Sequence, residues 1–300
     1  MRLLQRTVIL TVMVLGPVSL SAETSERFRE ADPKPRLATQ QQPARTLRQA
    51  LEPGWRAYQR GEIAEALTIY QGAVASSPND PSLWYDLGCL YALHHDEAMA
   101  RSAFQRALTL NPRLAHAMDA LGQLEEQAGH VTAAHALYAN ADILEPGNAK
   151  FLRHLIRALL RLNESAAARQ ALRQLLAATS EDGEAHYELG VLELRANAPD
   201  LAIQEFRRVV ERQPNHVMAW NGLALASARA GAFAEALDAI EHARALNPQS
   251  ASTETNFGVV AAYQQRWEDA RAAWQHALKL DPHFQPAAQN LEALTASPTP

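Results

Sequence analysis

Arginine is the residue of this chain best suited to recognition chemistry. Arg161, Arg195 and Arg229 stand 34 residues apart, and the stretch 149–162 carries Lys150, Arg153, Arg157 and Arg161 with no acid. A guanidinium is planar, permanently charged and able to grip a carboxylate through two N–H groups at once. Such a set could hold an acidic side chain or a chain-terminal carboxylate. The competing use is internal. Asp119 lies one spacing before Arg153, and Glu126 nearly one spacing before Arg161, where they would neutralise the strip.

Covalent and metal chemistry find little footing. His94-His95-Asp96-Glu97 is the one compact group of metal-ligand types, and it falls in a polar break where solvated residues are expected. His130 and His135 are five apart and do not share a helical face. The single cysteine, Cys89, could be a reactive thiol or an intermolecular bridge; a small, partly buried apolar residue is the expected reading. The sequence has no His-Glu-x-x-His, no Gly-x-Ser-x-Gly, no glycine-rich phosphate loop and no Cys-x-x-Cys. The chain is therefore read as non-catalytic, with no cofactor and no metal.

The elements that must position the arginines come from a repeat. Seven copies of one 34-residue unit run in a single frame over 47–284. Ala66, Ala100, Ala134, Ala168, Ala202, Ala236 and Ala270 mark one column. A second is mostly glycine (Gly54, Gly88, Gly122, Ile156, Gly190, Ala224, Gly258), and a third is bulky (Tyr70, Phe104, Tyr138, Leu172, Phe206, Ile240, Trp274). Within 81–114, Trp84, Leu87, Gly88 and Tyr91 share one helical face, and Ala100, Phe104, Ala107 and Leu108 share another. Asp80-Pro81 is a helix start and Asn111-Pro112 a helix stop. The unit is a helical hairpin. One hairpin cannot bury its own apolar face, so neighbours must stack.

Trp84, Leu87-Gly88, Tyr91, Ala100, Phe104, Ala107 and Pro112 resemble the tetratricopeptide repeat (TPR) pattern, and the resemblance covers Leu47 to about Leu294. It implies an all-α, right-handed superhelical solenoid of seven hairpins, with 285–295 as a C-terminal capping helix. It also implies that fixed positions of each first helix face a groove that takes a protein or peptide partner. On those positions stand Arg153, Arg157, Arg161, Tyr187, Arg195, Asn221 and Arg229, and a second, aromatic set of Trp55, Tyr58 and Tyr85. The carboxylate clamp of chaperone-binding members is not reproduced: Arg153 and Arg157 hold its first two positions, and Glu188 stands where its next asparagine would be. The fourth repeat departs most, with Ile156 for glycine and Ser180 for proline, and Ile156 is expected to widen its helix pair. Pro53-Gly54 is expected to interrupt or kink the first helix.

The ends suggest export. Residues 1–22 carry Arg2 and Arg6, an apolar run to Leu20 and small residues to Ala22, the pattern of a cleaved signal peptide. The run is short for a membrane span, and a membrane partner enters only if this segment is retained. Cleavage removes two positive charges, taking the formal net charge from -5 to -7. Residues 23–46 read as a flexible linker and 296–300 as a disordered tail. Arginine outnumbers lysine 25 to 3, as in a GC-rich bacterial genome. The expected setting is the periplasm, as a scaffold in envelope assembly or secretion. An accessory subunit of an envelope enzyme and a membrane-anchored assembly factor are the alternatives. Mild acidity argues against nucleic acid as the partner.

Overall fold

The computed structural model describes residues 42–296, which contain fifteen α-helices and no strand. Within each of two units, hairpin packs on hairpin, as the TPR-like repeat implies. The signal segment and most of the linker lie outside the described residues. The first helix begins at Gln42, ahead of the linker's expected end.

The helices form two compact units that divide between Ala178 and Thr179. The N-terminal unit holds four hairpins: α1 (Gln42–Gln59) with α2 (Ile63–Ser76), α3 (Pro81–Leu93) with α4 (Glu97–Leu110), α5 (Ala115–Gln127) with α6 (Val131–Leu144), and α7 (Ala149–Arg161) with α8 (Ser165–Ala178). The C-terminal unit holds α9 (Gly183–Arg195) with α10 (Pro199–Arg212), α11 (Val217–Ala230) with α12 (Phe233–Leu246), and α13 (Ala251–Tyr263) with α14 (Trp267–Leu280). It ends on α15 (Gln285–Ala296), whose Ala287 is fully buried and whose Leu291 packs on the core. Among the described residues no helix is long and apolar enough to cross a membrane.

Local chemistry sets the helix ends. Asp80, Asp96, Asn148, Asp182 and Ser250 each accept a backbone N–H of the helix they precede, satisfying donors that have no partner within the helix. Each hairpin turn holds one residue in the left-handed region, again 34 apart: Gly61, His95, Gly129, Asn163, Asn197, Gly231 and Gln265. His95 is thus a turn residue and Asp96 a helix cap, which accounts for the histidine-aspartate group without a ligand. Among the described residues no three His, Cys, Asp or Glu gather as a metal site.

Packing follows the columns. All seven repeat alanines are fully buried. A Cβ on Gly88 would stand 2.6 Å from the Phe104 ring, and one on Gly258 would stand 2.4 Å from Trp274 Nε1, which donates to the Thr255 carbonyl at 3.1 Å. Where glycine is lost, the facing bulky residue is aliphatic: Leu172 for Ile156, Ile240 for Ala224. Even so, α7 and α8 pack less closely than the other hairpins, as the Ile156 column break implies. Pro53, by contrast, does not interrupt α1. Its side chain is exposed, so the lost hydrogen bond falls on the solvent side, while the buried Gly54 seats on Tyr70. Cys89 is fully buried, in the N-terminal core.

Candidate protein-binding surface

In the N-terminal unit, α5 carries Asp119 and Glu126 two turns apart, both buried. Helix α7 answers with Lys150, His154, Arg157 and Arg161 along one face. His154 Nδ1 lies 2.6 Å from Asp119 Oδ1, Gln123 Nε2 donates to Asp119 Oδ2 at 2.9 Å, and Lys150 Nζ stands 3.8 Å from that oxygen. Arg157 forks onto Glu126, with Nε to Oε1 at 2.8 Å and Nη2 to Oε2 at 2.6 Å. Tyr138 Oη donates to Glu126 Oε2 at 3.0 Å, and Arg161 Nη1 to Oε1 at 3.3 Å. Burial acts to raise the Glu126 pKa, but the hydrogen bonds and charge of Arg157, helped by Tyr138 and Arg161, outweigh it and hold the carboxyl below its usual range. Burial, then the charge of Glu126, pushes the Tyr138 hydroxyl up.

Two of the expected strip residues, Arg157 and Arg161, are therefore engaged inside the protein. Glu126 does pair with Arg161, but Arg157 is its principal partner. Asp119 turns to His154 and Lys150, and Arg153 is exposed. The reason is the 100° step of the helix: residues 150, 154, 157 and 161 share a face, and 153 is rotated off it. The aromatic set divides as well. Trp55 and Tyr58 stack, centroids 5.2 Å apart, and are half-buried on α1. Tyr85 is a core residue, 5% exposed, packed against Phe104 and edge-on to His116.

In the C-terminal unit, Tyr187 is buried between the Phe206 and His216 rings, and its hydroxyl has no hydrogen-bond partner. Asn221 is 2% exposed; its Nδ2 donates to the Val217 carbonyl and to Thr253 Oγ1, and its Oδ1 accepts from Asn256 Nδ2 at 3.0 Å. Arg229 Nη1 donates to the Leu194 carbonyl at 3.0 Å. Arg195 is exposed at the end of α9. Tyr187 and Asn221 are thus packing residues, while Arg195 remains open to solvent.

Sequence reasoning noted Glu188 only as a departure from the chaperone clamp and missed its burial: it is 1% exposed with Oε2 unpartnered. Burial first, then the charge of Glu184, pushes its carboxyl up to about 8 against the pull of Arg195. It also missed His154 and Tyr138. A signal for His154 was present: Asp119–His154, Glu126–Arg161, Leu194–Arg229 and Asn221–Asn256 all join residues 35 apart, one repeat plus one residue.

The family's sequence profile, described as "Tetratricopeptide repeat", matches residues 51–115, 119–182, 153–216 and 194–251. The chain belongs to the tetratricopeptide repeat family. Superkiller protein 3 of Schizosaccharomyces pombe is 29% identical over 186 residues, covering 62% of this chain. The TPR chain spans only 11% of that relative's length. Among solved structures, YrrB, described as a TPR protein with an unusual peptide-binding site, is 23% identical with a TM-score of 0.55, covering 64% of this chain and 99% of its own. The C-terminal part of a TPR repeat-containing protein from Cytophaga hutchinsonii is 18% identical with a TM-score of 0.58, covering 80% and 99%. These likenesses show the TPR fold.

Proposed function

We propose that this TPR chain is a non-catalytic scaffold that binds a protein or peptide partner along the first helices of its hairpins. The observation that carries this reading is how its reactive side chains are spent. Asp119 and His154, Glu126 and Arg157, and His186 and Glu205 at 2.5 Å all tie helix to helix. What stays exposed at the helix ends is charged and suited to recognition, above all Arg195. The description of YrrB as carrying a peptide-binding site supports a peptide as the occupant. The charged start, apolar run and small residues of 1–22 support export to the bacterial periplasm, with a role in envelope assembly or secretion. The test is crosslinking and capture of partners from a periplasmic extract with the wild-type chain and with Arg195→Glu. Partners lost in the variant support the reading; an extract yielding no specific partner to either chain rejects it.

A further inference from the structure

The N-terminal unit contains a worked example of carboxylate capture. Glu126 is held by two guanidiniums, Arg157 and Arg161, and by one tyrosine hydroxyl, Tyr138. The C-terminal unit offers two guanidiniums and a tyrosine without the carboxylate. Arg229 reaches back 35 residues, as Arg161 does, but meets Leu194 where Arg161 meets Glu126. It takes the Leu194 backbone carbonyl instead, one residue from Arg195 on the last turn of α9. Tyr263, half-buried at the end of α13, is near enough for the Arg229 charge to act on its hydroxyl.

Neither guanidinium has a carboxylate within ion-pair distance among the described residues. Most other arginines of the unit are matched, Arg207 with Glu235, Arg212 with Glu181, Arg244 with Glu254, Arg266 with Asp269 and Arg271 with Glu268, and the exposed Arg208 is the exception. The mismatch is not a shortage of acid, since 179–300 contains sixteen acidic and nine basic side chains. The acid on which the Arg195 charge acts is Glu188. With its carboxyl pushed up to about 8 by burial, it is mostly uncharged at neutral pH. The negative end of the α9 dipole favours a cation at this helix end but leaves most of the N–H donors of Arg195 and Arg229 unspent.

We propose that Arg195 and Arg229, with Tyr263 beside them, form a carboxylate-binding site that takes the acidic group of an incoming peptide in the role Glu126 plays internally. This rests on the peptide-scaffold reading and names the chemistry it would recognise. Either a C-terminal carboxylate or an aspartate or glutamate side chain could supply the anion.

The test uses the full chain, with side-chain Nε–H signals of arginine followed by NMR. Four probes are titrated: a neutral hexapeptide with a free C-terminal carboxylate, its C-terminal amide, and the amide with glutamate or with glutamine at the fourth position. The carboxylate-bearing probes should shift the Arg195 and Arg229 signals and leave those of Arg157 unmoved, while the neutral amide and its glutamine form do not. The probe that binds tighter identifies the source of the anion. Arg195→Ala and Arg229→Ala should each weaken the better probe about tenfold or more, as expected for loss of a charge-assisted bond, and Arg208→Ala should leave it unchanged. Circular dichroism of each variant checks that it remains folded. Carboxylate and amide probes binding alike, binding indifferent to both variants, or no shift at millimolar probe overturns the site. Partner capture from the extract is a separate measurement, so the scaffold reading stands or falls independently.

Discussion

Glu126 shows what a single carboxylate does when it is buried among cations. Removing it leaves the Arg157 guanidinium uncompensated beside a tyrosine whose hydroxyl has lost its acceptor. Breaking such a pair from one side typically costs about 3–5 kcal/mol. Glu126→Ala should therefore lower the denaturant midpoint strongly, and replacing both members, as Glu126→Leu with Arg157→Met, should recover much of the loss. A double variant as unstable as the single one would show that the pair is more than a matched charge. Glu188 acts in the opposite sense. Its folded-state pKa of about 8 lies above its ordinary 4.5, so the folded chain binds the proton more tightly. Its contribution is fully present below about pH 4.5 and is lost as pH rises through about 8. Glu188→Gln should flatten that decline, making the variant more stable than wild type at pH 9 by an amount on the order of a few kcal/mol. Parallel stability profiles for the two chains between pH 6 and pH 9 would contradict this. Of these residues, the sequence made the acids and bases of α5 and α7 legible, with the Glu126–Arg161 pair, but not Arg157 and His154 as the principal partners. A linear spacing of 34 points Asp119 at Arg153, whereas the rotation of one helix against the next adds a residue and delivers His154.

Among the elements, the hairpin was the most legible, because its packing residues recur in fixed columns. Less legible were the places where one column compensates for another. Ile156 fills the space that an aromatic takes in most other hairpins, and Leu172 is correspondingly smaller. Ile156→Gly should thus open a cavity and cost about 2–5 kcal/mol, with roughly another 1 kcal/mol for glycine in a helix. Adding Leu172→Phe should return part of that stability, measured by chemical denaturation; a further loss would mean that the α7–α8 pair is set by something other than this contact. The turns offer a gain. His95 holds a left-handed φ of 63° that an L-residue adopts at a cost of roughly 1–2 kcal/mol, while glycine adopts it freely. After the entropy cost of glycine, His95→Gly should stabilise the chain by up to about 1 kcal/mol, read as a raised melting temperature. The proline that sequence reasoning placed as a break is tolerated because its missing donor faces water, a distinction the one-dimensional pattern does not contain.

For the molecule as a whole, the hairpins stacked within each unit respond to damage locally, since each packs on its neighbours there. Ala202 is fully buried where α9 and α10 meet, so Ala202→Leu should cost about 1–3 kcal/mol by overpacking. Hydrogen exchange should quicken over residues 183–216 and change little in α1 to α4; a uniform loss of protection would mean the array melts as one block. The division between Ala178 and Thr179 falls at the end of the irregular fourth repeat, beside Ser180 in the proline column. That there should be two compact units was not legible, because the 34-residue frame runs through the division unbroken.

The ties between residues 35 apart carry a consequence for how such a chain can be edited. Excising one whole period keeps every remaining column in phase, and by the repeat pattern alone the shortened chain is well formed. Excision of 115–148 would nevertheless bring His154 and Arg157 against the hairpin of Tyr85 and Cys89, which has Tyr85 and Ala92 where Asp119 and Glu126 stood. The hairpins are thus alike in outline but keyed at their edges, each cut to fit one particular neighbour. Their order is a fixed syntax, and shuffling them would yield strings with the right words in sentences that do not parse.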